Sequence, residues 1–332
     1  MTDAIKDILK RYDELSAIIL EQKIDEFGDK IGEKPEDTDD ATFEEYIQRL
    51  AKDEIDEATK VLEEEPDERL DGKSMHQVFD AMSLDEKFEA LEYCATELDR
   101  SVPACLAAAI ADDPDREGAK YKCAQIIGES AWTDDELGDD DKIFEMEFQK
   151  AKSCLEVLTK MGEACYVKAV LDRFMSYPQT KDFVADSIAG YIEAFPEVSV
   201  PFLTYIIETQ ADTGLKGPCE DVVIMLTAIG KEHPTEEIYD ALRRAFRYMN
   251  NKIYAVLCLA DYGDERAAAM FKNYINRHQD TIDRELFYEM MSAIQNLGGD
   301  ISDIHDPFGD FQRKMQQPGS KPAKPAGYNG NK

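Results

Sequence analysis

The sequence predicts an all-α fold in which helical hairpins stack one after another along the chain. Three observations carry this expectation. Apolar residues recur at spacings of three and four along much of the 332-residue chain, the period of one helix face. Helix-start signals stand at 102, 163, 200, 236 and 264, separated by 61, 37, 36 and 28 residues, and the widest gap has room for one more unit beginning near Asp141-Lys142-Ile143. No stretch alternates apolar and polar residues between Asn-Gly or Asp-Gly turns, so strand hairpins are not expected.

Taken in order, Ile5, Ile8, Leu9, Tyr12, Leu15 and Ile19 place an amphipathic helix over 3–27, closed by Gly28, Gly32 and Pro35. Thr42 and Glu45 have capping-box spacing, and the helix they start carries Phe43, Tyr46, Ile47, Leu50, Ile55, Ala58 and Leu62 up to Pro66 and Gly72. Ser83 and Glu86 form a second capping box ahead of Phe88, Leu91, Ala95 and Leu98. Val102-Pro103 and Val200-Pro201 each read as a helix start with proline in the first turn, where its missing N–H costs nothing. Met161-Gly162-Glu163 marks a further start. Thr235 is the expected N-cap of a helix whose apolar face is Ile238, Leu242, Ala245, Phe246 and Met249. Gly263-Asp264-Glu265-Arg266 opens another. Val222 to Leu226 could be a buried strand, but the helical stretch from Cys219 to Gly230 around it favours a buried helix.

Within residues 252–299, Ala255, Leu259 and Ala260, followed by Gly263, Asp264, Arg266 and Ala267, stand where a particular repeat consensus has its own residues, and Ala293 to Gly299 continues the pattern. This segment resembles the short HEAT-like repeats of the phycobilin-lyase type. The likeness is fainter over 85–250 and absent from 1–80. It implies a right-handed α-solenoid of HEAT-like hairpins over 81–311, with an acidic helical segment at 1–80 and a Pro, Gly and Lys-rich tail at 312–332 expected to be disordered. Phe308 and Phe311 are expected to cover the last repeat. HEAT-like arrays mostly act as interaction scaffolds, so the resemblance implies a binding module more than an enzyme.

The charge narrows the partners. The chain has 71 acidic and 38 basic residues, a net charge of −33, with 43% hydrophobic residues, enough to bury a core. Residues 1–150 hold 45 acids and 18 bases, and the densest runs are Glu36–Asp40, Glu63–Glu68 and Asp134–Asp141. Such a balance argues against nucleic acid and against an anionic membrane surface. The longest apolar stretches, Cys105–Ala111 and Val222–Ile229, are too short to cross a bilayer. Seven scattered cysteines without a Cys-x-x-Cys pair, and an N-terminus without a basic head and apolar run, lead to the expectation of a cytoplasmic protein with reduced, mostly buried thiols. The expected partner is a protein or peptide, basic or mixed in charge.

Motifs for chemistry are sparse. The histidines (76, 233, 278 and 305) are not followed by Glu, unlike the His-Glu pairs of HEAT-like metal hydroxylases, and none pairs at i, i+4. Asp134–Asp141 fits no EF-hand register, because Gly138 falls where a ligand is needed. Asp300, Asp303, Asp306 and His305 read as capping and linker chemistry. Neither a Gly-x-Ser-x-Gly elbow nor a phosphate-binding Gly-rich loop occurs, and no cofactor is expected. An enzyme with an unrecognised site in a groove, and a peptide-binding regulator, stand as alternatives to the scaffold. Three candidate contact sites emerge. Arg243, Arg244 and Arg247, with Lys252 beyond, are either cations at a negative helix end or a local anion site for an acidic peptide or for the chain's own N-terminal half. Trp132, the only tryptophan, either packs at a hairpin end or faces a partner. Asp139, Asp140 and Asp141 offer an acidic contact, or simply a solvated loop.

Overall fold

A computed structural model describes residues 68–132, 141–178 and 181–309, together with 3, 5–14, 16, 17, 47, 58–60 and 62–66. Every regular element among them is helical, as expected. The α-helices are α1 (Met75–Asp80), α2 (Leu84–Glu97), α3 (Ala104–Ala111), α4 (Arg116–Glu129), α5 (Asp141–Met161), α6 (Val167–Phe174), α7 (Asp182–Glu193), α8 (Pro196–Gln210), α9 (Pro218–Glu232), α10 (Glu236–Tyr248), α11 (Lys252–Tyr262), α12 (Arg266–His278) and α13 (Arg284–Asn296). The chain divides into two compact units, 1–166 and 167–332, a division that falls inside the span 81–311. The expected helix over 3–27 is helical at 5–14, while its end, the capping box at Thr42 and Glu45, the run Glu36–Asp40, Phe311 and the tail at 312–332 lie outside the described residues.

In the first unit, α5 is the hub, packing on α2, α3 and α4. Its neighbour α3 reads Ala-Cys-Leu-Ala-Ala-Ala-Ile-Ala and is buried on nearly every side, because small side chains let several helices approach it at once. One charge is carried inside: Lys87 of α2, 3% exposed, donates to the carboxylate of Asp113 at 2.7 Å and to the Ala109 carbonyl at 2.9 Å, which satisfies a cation that burial would otherwise make costly. The Ser83–Glu86 capping box forms as read, and Ser74–Gln77 makes another ahead of α1.

In the second unit the helices alternate between two rows. The row of α7, α9, α11 and α13 packs side by side, α9 on α7 and α11, then α13 on α11. The other row runs α6, α8 and α10, and Phe246 of α10 meets Phe271 and Tyr274 of α12 edge-on at 5.4 Å each. Consecutive helices join the rows, α8 with α9, α10 with α11, and α12 with α13. Residues 222–226 lie in the buried helix α9, so the helical reading holds. Thr235 accepts from the Ile238 N–H at 3.3 Å, and Gly263 ends α11 at φ +84, a left-handed conformation that suits glycine. Phe308 packs its ring on Phe287 and Tyr288.

Two proline expectations need correction. Pro103 is the N-cap residue of α3 rather than part of its first turn. Pro201 lies inside α8, which begins at Pro196. Pro196 already has the fixed φ and costless missing N–H of a first-turn proline, and the buried Ser199 hydroxyl fastens that turn by donating to the Ile192 carbonyl at 2.7 Å. Pro201 is then tolerated because the carbonyl its absent N–H would have bonded, that of Glu197, belongs to an exposed residue that water can reach. The start expected at 163 is also displaced: a 3-10 turn, Ala164–Tyr166, intervenes before α6 at Val167.

Candidate functional site

Between α10 and α12 the solvent side of the second row opens into a groove of about 570 Å³. Helical periodicity builds it. On α10, Ile238, Leu242, Ala245 and Phe246 turn inward, which puts Asp240, Arg243, Arg244 and Arg247 outward. On α12, Ala267, Ala268, Phe271 and Ile275 are buried, so Asn273, Arg277 and His278 face out. The floor is aromatic: Phe246 meets Tyr274, whose ring lies 4.3 Å from that of His278.

The cations differ in how they are held. Arg266 is clamped by both oxygens of Glu236 at 2.8 and 2.9 Å and by Asp264 at 2.7–3.1 Å, and it lies 3.8 Å over the Tyr239 ring. Hydrogen bonding to those carboxylates raises Arg266 and holds Glu236 and Asp264 below the usual carboxylate range. Arg243 pairs with Asp240 at 2.9 Å and also lies over the Tyr239 ring, 5.5 Å from its centroid. Arg247 and Arg277 are exposed and make no ion pair among the described residues. The groove therefore has a stabilised end at Arg266 and two guanidinium forks with open donors, a geometry suited to bidentate binding of carboxylate or phosphate.

The expected arginine patch is thus only partly a unit. Arg243 and Arg247 line the groove, whereas Arg244 points toward α8 and lies 3.5 Å from Glu208. Lys252 does what a cation at a helix end is expected to do: its ammonium donates to the carbonyls of Phe246, Arg247 and Met249 at 2.7–2.9 Å, and burial lowers its pKa. That leaves Arg247 free to face the groove. The residues that sequence reasoning missed are Arg266, Arg277, Tyr274 and Met270 of α12. Their only sequence signal was the apolar spacing of α12, which predicts its face but not its register against α10.

The other candidates resolve differently. Trp132 is fully buried, 0% exposed, with its ring edge-on to Phe148 of α5, so it is a core side chain and the partner-facing alternative is corrected. Asp139 and Asp140 lie outside the described residues, and Asp141 is the first residue of α5. Asp303 pairs with Lys272, Asp306 accepts from Tyr288, and Asp300 accepts from Ser302, so these acids are engaged in local contacts. Among the described residues no group of three or more His, Cys, Asp or Glu could hold a metal ion, and no helix is long and apolar enough to cross a membrane. All seven cysteines are free, and six are buried. Burial pushes Cys94 up to about 12 and Cys219 and Cys258 up to about 11, the opposite of an activated thiolate.

No protein-family model, curated protein or solved structure matches the chain.

Proposed function

We propose that this chain is a non-catalytic, cytoplasmic protein-interaction module, a right-handed solenoid of HEAT-like hairpins that uses no cofactor and receives an acidic peptide segment of a protein partner in the α10–α12 groove. The observation that carries the reading is local charge reversal. In a chain of net charge −33, α10 and α12 together hold five arginines and one lysine against three carboxylates, and two of those carboxylates lie in the first turn of α10. A small cationic groove selects short acidic ligands that fit inside it, while the chain's net negative charge repels long polyanions such as nucleic acid. The alternating rows of the second unit, with each helix packed chiefly on its nearest neighbours, support the solenoid reading. Seven free cysteines support a reducing compartment.

The partner expected from overall charge was basic or mixed. The groove favours the opposite sign at the contact itself, because its arginines are the groups that would touch a ligand. Fluorescence anisotropy with a labelled Glu-Glu-Phe-Glu-Glu peptide and a Lys-Lys-Phe-Lys-Lys control tests this. The acidic peptide is expected to bind, and Arg247→Glu/Arg277→Glu is expected to weaken it on the order of tenfold or more without changing the helical circular dichroism. Preferential binding of the lysine peptide, or equal binding by the double variant, would overturn the reading.

A further inference from the structure

A second groove, of about 250 Å³, lies on the same row of helices, between α6 and α8. Leu171 of α6 and Met175, just past its end, face Phe202, Tyr205 and Ile206 of α8 across it, and Tyr205 is 64% exposed. Its one cation, Lys168, is paired with Asp172 on the same helix, and Ser176, Thr209 and Gln210 complete the lining, so the groove offers apolar and aromatic surface between uncharged polar edges, with little net charge. The space between the two grooves is bridged rather than open. Thr204 and Glu208 of α8 contact Glu237 and Arg244 of α10, at 3.1 and 3.5 Å. The row α6, α8, α10 and α12 therefore presents an apolar groove, a polar ridge and a cationic groove in that order.

Resting on the reading above, we infer that the ligand is a bipartite extended peptide: an acidic cluster held by Arg243, Arg247 and Arg277, and an aromatic or aliphatic side chain seated between α6 and α8. Charge complementarity fixes the first half. Its continuation along one helix row fixes the second, since an extended chain leaving the cationic groove over the ridge meets the apolar groove next. The grooves are two helix spacings apart, about 16–20 Å at ordinary interaxial distances. An extended peptide spans that with about five or six residues. Tyr205 supplies a rigid amphipathic ring of the kind that anchors interfaces, and the exposed Glu208–Arg244 pair can exchange its carboxylate for one from the peptide as it crosses.

The test is selection of a displayed library of random 16-residue peptides on the full-length chain, on Met175→Ser/Tyr205→Ser, and on Arg247→Glu/Arg277→Glu. On the unaltered chain, selected peptides are expected to carry an acidic cluster and an apolar residue about five to seven positions away. The Met175→Ser/Tyr205→Ser variant should keep the acidic preference and lose the fixed apolar position, and a selected peptide should bind it about tenfold more weakly. Acidic peptides without a fixed apolar position on the unaltered chain would overturn the bipartite ligand and leave the acidic groove standing. Loss of acidic selection altogether would overturn both. Because the decisive comparison is made on the unaltered chain, a folding defect in a variant cannot hide the result.

Discussion

Burial, reinforced by Asp182, Glu220 and Asp186, pushes the carboxyl of Asp221 up to about 6. An unfolded aspartate titrates near 4, so the folded chain binds the extra proton between roughly pH 4 and 6. The associated stability is present below the unfolded value and is lost as pH rises through about 6. Asp221→Asn removes this loss. Thermal midpoints at pH 4.5 and 7.5 should show a smaller decline for the variant than for the unaltered chain, and equal declines would reject the assignment. Single residues also show where sequence reasoning works. Arg243 and Arg247 could be assigned to one face of α10 because four positions bring residues back to the same side. Arg244 could not be assigned to α8, because its pairing with Glu208 depends on the packing of another hairpin, whereas the packing reading of Trp132 holds, its ring meeting Phe148 of the next helix.

At the scale of elements, local rules were legible and tertiary exceptions were not. Ser83 and Thr235 cap helices as read, since caps depend on three or four neighbouring residues. Pro201 misled because Pro196 and Ser199 secured the turn before it, and the lost hydrogen bond falls at Glu197, an exposed residue. The α10–α12 groove was half legible: its α10 wall came from one arginine-rich stretch, while its α12 wall needed the packing of Phe246 on Phe271. Gly230 shows the same dependence on packing. A Cβ there would lie 2.7 Å from the Tyr262 ring and 2.9 Å from Ile238, so α9 can approach its neighbours only as glycine. Gly230→Ala is expected to destabilise the protein by about 1–3 kcal/mol, read as a lower midpoint in urea at unchanged slope. An unchanged midpoint would mean the contact yields without cost.

For the whole molecule, the all-α class was legible from periodicity, and the net charge from counting, but the local sign of the contact surface was not. Self-repulsion at −33 and attraction at the α10–α12 groove respond oppositely to salt. Raising ionic strength from about 0.05 to 0.5 M should raise the thermal midpoint of the free chain while weakening the acidic peptide severalfold. Peptide binding that strengthens with salt would contradict an electrostatic groove. Hydrogen–deuterium exchange with and without Glu-Glu-Phe-Glu-Glu reads directly whether the α10–α12 groove is where an acidic peptide binds. Slower exchange is expected at the groove walls alone, residues 243–247 and 270–278, whose helices open less often once bridged. Protection elsewhere, with those two stretches unchanged, would contradict binding there.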